Sequence, residues 1–282
     1  MRLSSSQSQD LFHPRPARGA EVAAGFHDEE DEGLEFDPRR DLLKKDWEGM
    51  KGQLERFRGT NWWDFSRMAM RLSLLFPDRK AELNLDDEAF KGMTRVLEER
   101  RGTDWWFFSI MAMNLSLLFP DRKAELNLDD TSFEGMKGRL EEGRGTDWRG
   151  FSFWIVRLSV LFPDRKAEFN PNETDFEWMK GELEETRGKN WLSFSRMAVH
   201  LSLLFPDRKA ELNLDAAAFE GMKGKLEVYR GTDWWDFSDM AMHLAVLASE
   251  RAQITHDGRI LITPKPPKLT AEPKPLPVRS NL

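Results

Sequence analysis

Residues 90–132 read FKGMTRVLEERRGTDWWFFSIMAMNLSLLFPDRKAELNLDDTS, and the chain repeats this 43-residue block five times, from Trp47, Phe90, Phe133, Phe176 and Phe219. Within it Phe90, Met93 and Leu97 fall at i, i+3 and i+7, one face of an amphipathic helix. Asp86 or Asp87 is placed to cap its start, and Arg101 and Gly102 to end it, glycine being the residue a left-handed helix C-terminus prefers. Thr103 or Asp104 then opens a second helix, on which Trp105, Phe108, Ala112, Leu115, Leu118 and Phe119 keep helical spacing until Pro120. Trp106, Met111, Met113 and Leu117 make that helix apolar almost all round, so it belongs between neighbours rather than on a surface. Pro120-Asp-Arg-Lys-Ala-Glu-Leu126 predicts a short third helix, since proline is tolerated in a first helical turn.

The register is fixed by residue types that never change: Met50, Met93, Met136, Met179 and Met222; the Arg-Gly pairs from Arg58 to Gly231; the Phe-Ser pairs that begin at Phe65, Phe108, Phe151, Phe194 and Phe237. A unit of this kind cannot bury its apolar face alone and must stack on its neighbours. The predicted fold is therefore all-α, a right-handed-type α-solenoid of five helical repeats that matches armadillo and HEAT arrays in size only. The array is expected over 41–253. Residues 1–40, with an acidic run from Asp28 to Asp37, read as a disordered arm. Residues 254–282 read as a hairpin turning at Asp257-Gly258 and then a disordered tail in which Pro264, Pro266, Pro267, Pro273, Pro275 and Pro277 alternate with lysines. The fifth copy replaces Phe-Pro-Asp-Arg-Lys with Ala248, Ser249, Glu250, Arg251 and Ala252, the change expected of a terminal cap, and residues 41–46 are expected to cover the opposite end.

Composition narrows the function classes. The chain has 42 basic and 49 acidic residues, a net charge of -7, which argues against a protein that depends on neutralising phosphates. It contains no cysteine, so disulfides, thiolate metal sites and cysteine nucleophiles are excluded. No stretch has the length and apolarity of a membrane span or of a secretory leader, and the chain reads as soluble and cytoplasmic. Nucleotide-binding glycine loops, serine-nucleophile elbows and His-Glu-x-x-His helices are all missing from the sequence, and it predicts no catalytic residue, cofactor or metal. His200 and His243 occupy one slot of the repeat, filled elsewhere by Arg71, Asn114 and Arg157, and a slot of variable polar residues reads as surface. Gly49 and Gly52, repeated as Gly135 and Gly138 and as Gly221 and Gly224, fall in mid-helix, where close approach of another helix is the expected reason.

What differs among near-identical copies carries the functional reading. At 100° per residue, four positions of the second helix project within one stripe. They read Trp63, Asp64, Arg67, Arg71; then Trp106, Phe107, Ile110, Asn114; then Arg149, Gly150, Phe153, Arg157; then Leu192, Ser193, Arg196, His200; and last Trp235, Asp236, Asp239, His243. Aromatics and arginines anchor interfaces. The stripe is expected to line the groove of a noncatalytic scaffold and to bind a protein or peptide. The competing expectations are a helical-repeat RNA reader, using the arginines and aromatics, and a bacterial effector or assembly protein.

Overall fold

The structure is a computed structural model that describes residues 36–37 and 41–263. The predicted acidic arm and the proline-rich tail fall almost wholly outside the described residues; Phe36, at the arm's end, is buried. Each repeat is a helical hairpin. The outer helices are α1 (Lys44–Phe57), α3 (Asp87–Arg100), α5 (Asp130–Gly143), α7 (Glu173–Thr186) and α9 (Ala216–Tyr229). The inner helices are α2 (Trp62–Leu75), α4 (Trp105–Leu118), α6 (Trp148–Leu161), α8 (Trp191–Leu204) and α10 (Trp234–Ala248). A 3₁₀ helix follows each of the first four inner helices, as at Pro77–Leu83 and Pro120–Leu126.

The boundaries follow from side chains. Asp86 accepts the amide hydrogen of Ala89 and Asp104 that of Phe107, so of the sequence candidates Asp86 caps the outer helix and Asp104 the inner. Each outer helix ends at an arginine followed by a glycine with φ near +75°, as at Gly102 with φ +73°, where a Cβ would be strained.

The expected stacking of repeats is present, but the array has no ends. Each inner helix packs against the inner helices before and after it and against the next outer helix, and α10 meets α2 and α1 in the same way. The five repeats thus close into a ring, with the inner helices around the axis and the outer helices outside. The expected terminal caps are corrected accordingly. Repeats one and five cover each other, and the altered end of repeat five leads instead into a hairpin, β1 (Arg251–Ile254) and β2 (Ile260–Thr263), paired antiparallel with Ile254 opposite Ile260. It begins three residues before the sequence boundary at 254. Strand β1 lies on the C-terminal part of α8, on α10 and on the last 3₁₀ helix, Pro206–Leu212. The turn reaches the carbonyl of Val160 at the end of α6, where Gly258 (φ +78°) leaves no room for a Cβ. The hairpin is a floor under the C-terminal end of the ring.

Four devices recur from repeat to repeat. The outer-helix arginine reaches across to the start of the next repeat: Arg58 donates to the carbonyls of Leu83 and Asn84, Arg101 to Leu126, Asn127 and the Ser132 hydroxyl, and Arg144 to Asp175. Arg230 closes the circle on Asp46. This arginine does more than the surface pairing with Glu three residues earlier that its spacing suggests. Second, in four of the five inner helices the indole of the first tryptophan lies on a glycine of the next outer helix: Trp62 on Gly92, Trp105 on Gly135, Trp191 on Gly221 and, at the closure, Trp234 on Gly49. Gly52, Gly138 and Gly224 have nothing near them, so close approach explains only the first glycine of each pair. Third, Arg122, Arg165 and Arg208 lie on Phe90, Phe133 and Phe176 of their own repeats and pair with Glu125, Glu168 and Glu211, tying each 3₁₀ helix to its own outer helix. The fourth lies inside the ring.

Candidate functional site

The variable stripe does share one face, and ring closure turns that face inward. Five helices at the usual 8–10 Å spacing place their axes roughly 7–8.5 Å from the centre, and helices about 10–12 Å across leave a central gap only about 2–3 Å in radius. The stripe therefore plugs the axis rather than lining an open groove. It has a deep layer and a rim.

The deep layer is the slot of Arg71, Asn114, Arg157, His200 and His243, all of them buried. The expectation that this is a surface slot is corrected: each of these side chains bonds to the serine of the preceding repeat's Phe-Ser pair. Asn114 Nδ2 donates to Ser66 Oγ at 3.0 Å and Arg157 Nη1 to Ser109 Oγ at 3.1 Å. His200 Nδ1 lies 2.9 Å from Ser152 Oγ, His243 Nδ1 lies 2.9 Å from Ser195 Oγ, and Arg71 Nη1 donates to Ser238 Oγ at 3.1 Å across the closure. Every one of these hydroxyls donates to the carbonyl three residues back, from Trp63, Trp106, Arg149, Leu192 and Trp235. A hydroxyl has one proton. Toward arginine and asparagine the serine accepts, and histidine protonated on Nδ1 would fill the same role.

Charge in this layer is concentrated at the closure. Asp239 accepts from Arg71 Nη2 at 2.8 Å and from Arg196 Nη2 at 2.6 Å, so the aspartate of repeat five is clamped between repeats one and four. Burial pushes its carboxyl up, but the charges of Arg71 and Arg196 outweigh this and hold it far below the usual carboxylate range. Burial, with Arg67 adding to it, pulls the Arg157 guanidinium down to about 9. No carboxylate among the described residues pairs with it; it lies instead over Trp106 at 4.1 Å and near Phe153 and Trp154. Burial keeps both histidines neutral, His200 well below its ordinary value and His243 at about 4, although Asp239 acts to raise each.

Ser195, His243 and Asp239 superficially form a nucleophile–base–acid set, with His243 Nε2 3.7 Å from Asp239. The geometry argues against that chemistry. Ser195 is fully buried and its oxygen also lies within hydrogen-bond distance of the Leu192 carbonyl, so the hydroxyl is closed off from any substrate. The same serine meets arginine or asparagine in three other repeats, which marks the contact as a junction device. Among the described residues no group of three or more His, Asp and Glu side chains could hold a metal ion.

The rim is the N-terminal end of the inner helices. Trp63 stacks on Phe107 at 3.8 Å, and Trp235 carries Arg67 and Arg71 on its ring, each at 4.5 Å. Arg67 is otherwise unpaired by any carboxylate among the described residues; burial and then the charge of Arg71 bring it down to about 10, against the opposing pull of Asp239 and Asp64. Phe153 meets His200 edge-on at 4.6 Å, while Asp64 accepts from the Asn61 amide. Ile110, Asp236, Leu192 and Ser193 are half-buried around the same opening. Two stripe residues stand clear: Trp106 is 42% exposed, and Arg149 is exposed with one bond to Ser193. Of the residues that the sequence places on the stripe, the ring thus brings all together but leaves only the rim accessible.

No family model, no curated protein and no solved structure matches this chain. Its class is the one its own geometry defines, a closed five-fold ring of helical-hairpin repeats. Among the described residues no helix is long and apolar enough to cross a membrane.

Proposed function

We propose that the ring is a noncatalytic binding module that offers its rim to a protein or peptide. The observation that supports this reading is where the variation sits. Apart from Trp178 in repeat four, the positions that build the junctions are the same in every copy or keep the same hydrogen-bonding role, whereas the rim slot of Trp63, Trp106, Arg149, Leu192 and Trp235 changes in size and charge and includes the two exposed members. A partner would meet an uneven aromatic and cationic surface, the composition that supplies interface anchors. The plugged axis and the hairpin floor favour a ligand held on the mouth over one threaded through it.

Replacing Trp63 or Trp235 would disturb the stack and the arginine clasp, so the informative variant is Trp106→Ser with Arg149→Ser. The intact protein and this variant, used as bait in a nuclease-treated extract, are expected to differ by loss of one protein partner while both remain folded by circular dichroism; the variant melts somewhat lower because Arg157 lies on Trp106. Equal capture by both baits refutes the rim, and capture that nuclease abolishes points to nucleic acid instead.

A further inference from the structure

One junction breaks the tryptophan-on-glycine rule. The slot held by Gly49, Gly92, Gly135 and Gly221 is Trp178 in repeat four, and Trp148, which should lie on it, is displaced into a stack with it at 5.6 Å between centroids and 12° between planes. Trp178 remains 57% exposed, an apolar area that glycine would not present. The surroundings change with it. Glu182 and Glu185, at i+4 and i+7 from Trp178, share its helix face. The positions equivalent to Glu182 are Gln53, Val96, Arg139 and Lys225, so this face is acidic here as in no other repeat. Asp147 adds a further carboxylate from the loop before Trp148. At the closure of the ring the corresponding place is a recess between Gly49, Gly52, Gln53 and Arg56 and the loop 231–235; in repeat four two stacked rings stand there instead.

We propose that the Trp148–Trp178 platform is a docking surface for a basic proline-rich segment, and that its occupant is the stretch 264–279 of this chain. Paired aromatic rings in a groove are the receptor that extended polyproline segments use, because the stiff ligand loses little entropy on docking. The stretch carries six prolines, and its Lys265, Lys268, Lys274 and Arg279 complement Glu182, Glu185 and Asp147. The platform lies outside the rim, so this inference stands apart from the rim's proposed function.

The test is zero-length carbodiimide crosslinking of the full chain, with linked peptides mapped by mass spectrometry. Links from Lys265, Lys268 or Lys274 to Glu182, Glu185 or Asp147 are expected. They should fall at least fivefold in Trp178→Gly, which restores the packing of the sister junctions, and in a second variant with Pro273, Pro275 and Pro277 changed to serine, which alters the ligand and not the ring. Links within one chain fit the proposal, links found only between two chains overturn it, and the mass of the product tells them apart. Absence of these links in the native chain, or equal yield in both variants, overturns it. Trp106→Ser should leave them unchanged, so the platform and the rim fail separately.

Discussion

The serine of each Phe-Ser pair has one proton, and spending it inside its own helix suits its oxygen to a donor 48 positions later. Buried acceptors left without a donor cost about 1–3 kcal/mol. His200→Asn, which keeps a donor, should therefore retain most stability in chemical denaturation, while His200→Leu or His243→Leu should lose roughly that amount. The same histidines give the ring an acid-sensitive term. Their folded values lie below the ordinary one, His243 at about 4. The unfolded chain therefore takes up protons that the folded chain refuses as pH drops below about 6.5, and stability falls by up to about 1.4 kcal/mol per pH unit per histidine until the folded value is reached. Denaturation midpoints at pH 7.5 and 5 should show the loss, and the double variant His200→Asn, His243→Asn should reduce it. The sequence displayed these five residues as a register-matched set of polar side chains and gave no sign of their burial, because a helical projection assigns a face without saying what that face meets.

At the scale of the element, two glycines that look alike in the sequence have opposite reasons. Gly135 sits under the Trp105 indole, where a Cβ would come within 2.3 Å of the ring, and Gly138 faces open space. Gly138→Ala should stabilise by about 1 kcal/mol through helix propensity alone. Gly135→Ala should destabilise by roughly 1–3 kcal/mol through overpacking, and thermal melts of the two variants are expected to move in opposite directions. Helix starts, stops and the 3₁₀ turn were legible in single copies, since capping and proline rules are local. The tryptophan-on-glycine contact was not, because it joins residues of two repeats, and in repeat four, where Trp178 departs from it, the sequence shows a bare substitution without its exposed stack.

For the whole molecule the decisive fact is closure, and nothing in the sequence announced it. The residues that join repeat five to repeat one are the same types that join any two neighbours, and the altered end of repeat five resembles a cap because it leads into the floor hairpin. Two buried aspartates span the closure, Asp46 with Arg230 and Asp239 with Arg71, the latter aspartate also held by Arg196 of repeat four. Removing one partner of a buried pair costs about 3–5 kcal/mol. Asp46→Ala combined with Asp239→Ala should open the clasp, and since every junction is built alike, the freed edges can pair with those of a second copy. Light scattering behind a sizing column should then show dimers that grow with concentration, while the native chain elutes as one size.

An open array can gain or lose a unit and still stack. Here the angle between neighbours is committed to a full turn in five steps, so a copy added or deleted by slippage between near-identical coding segments leaves a circle that no longer meets itself. The ring thus counts its own repeats, and a miscounted chain would betray itself by the two mismatched edges it exposes.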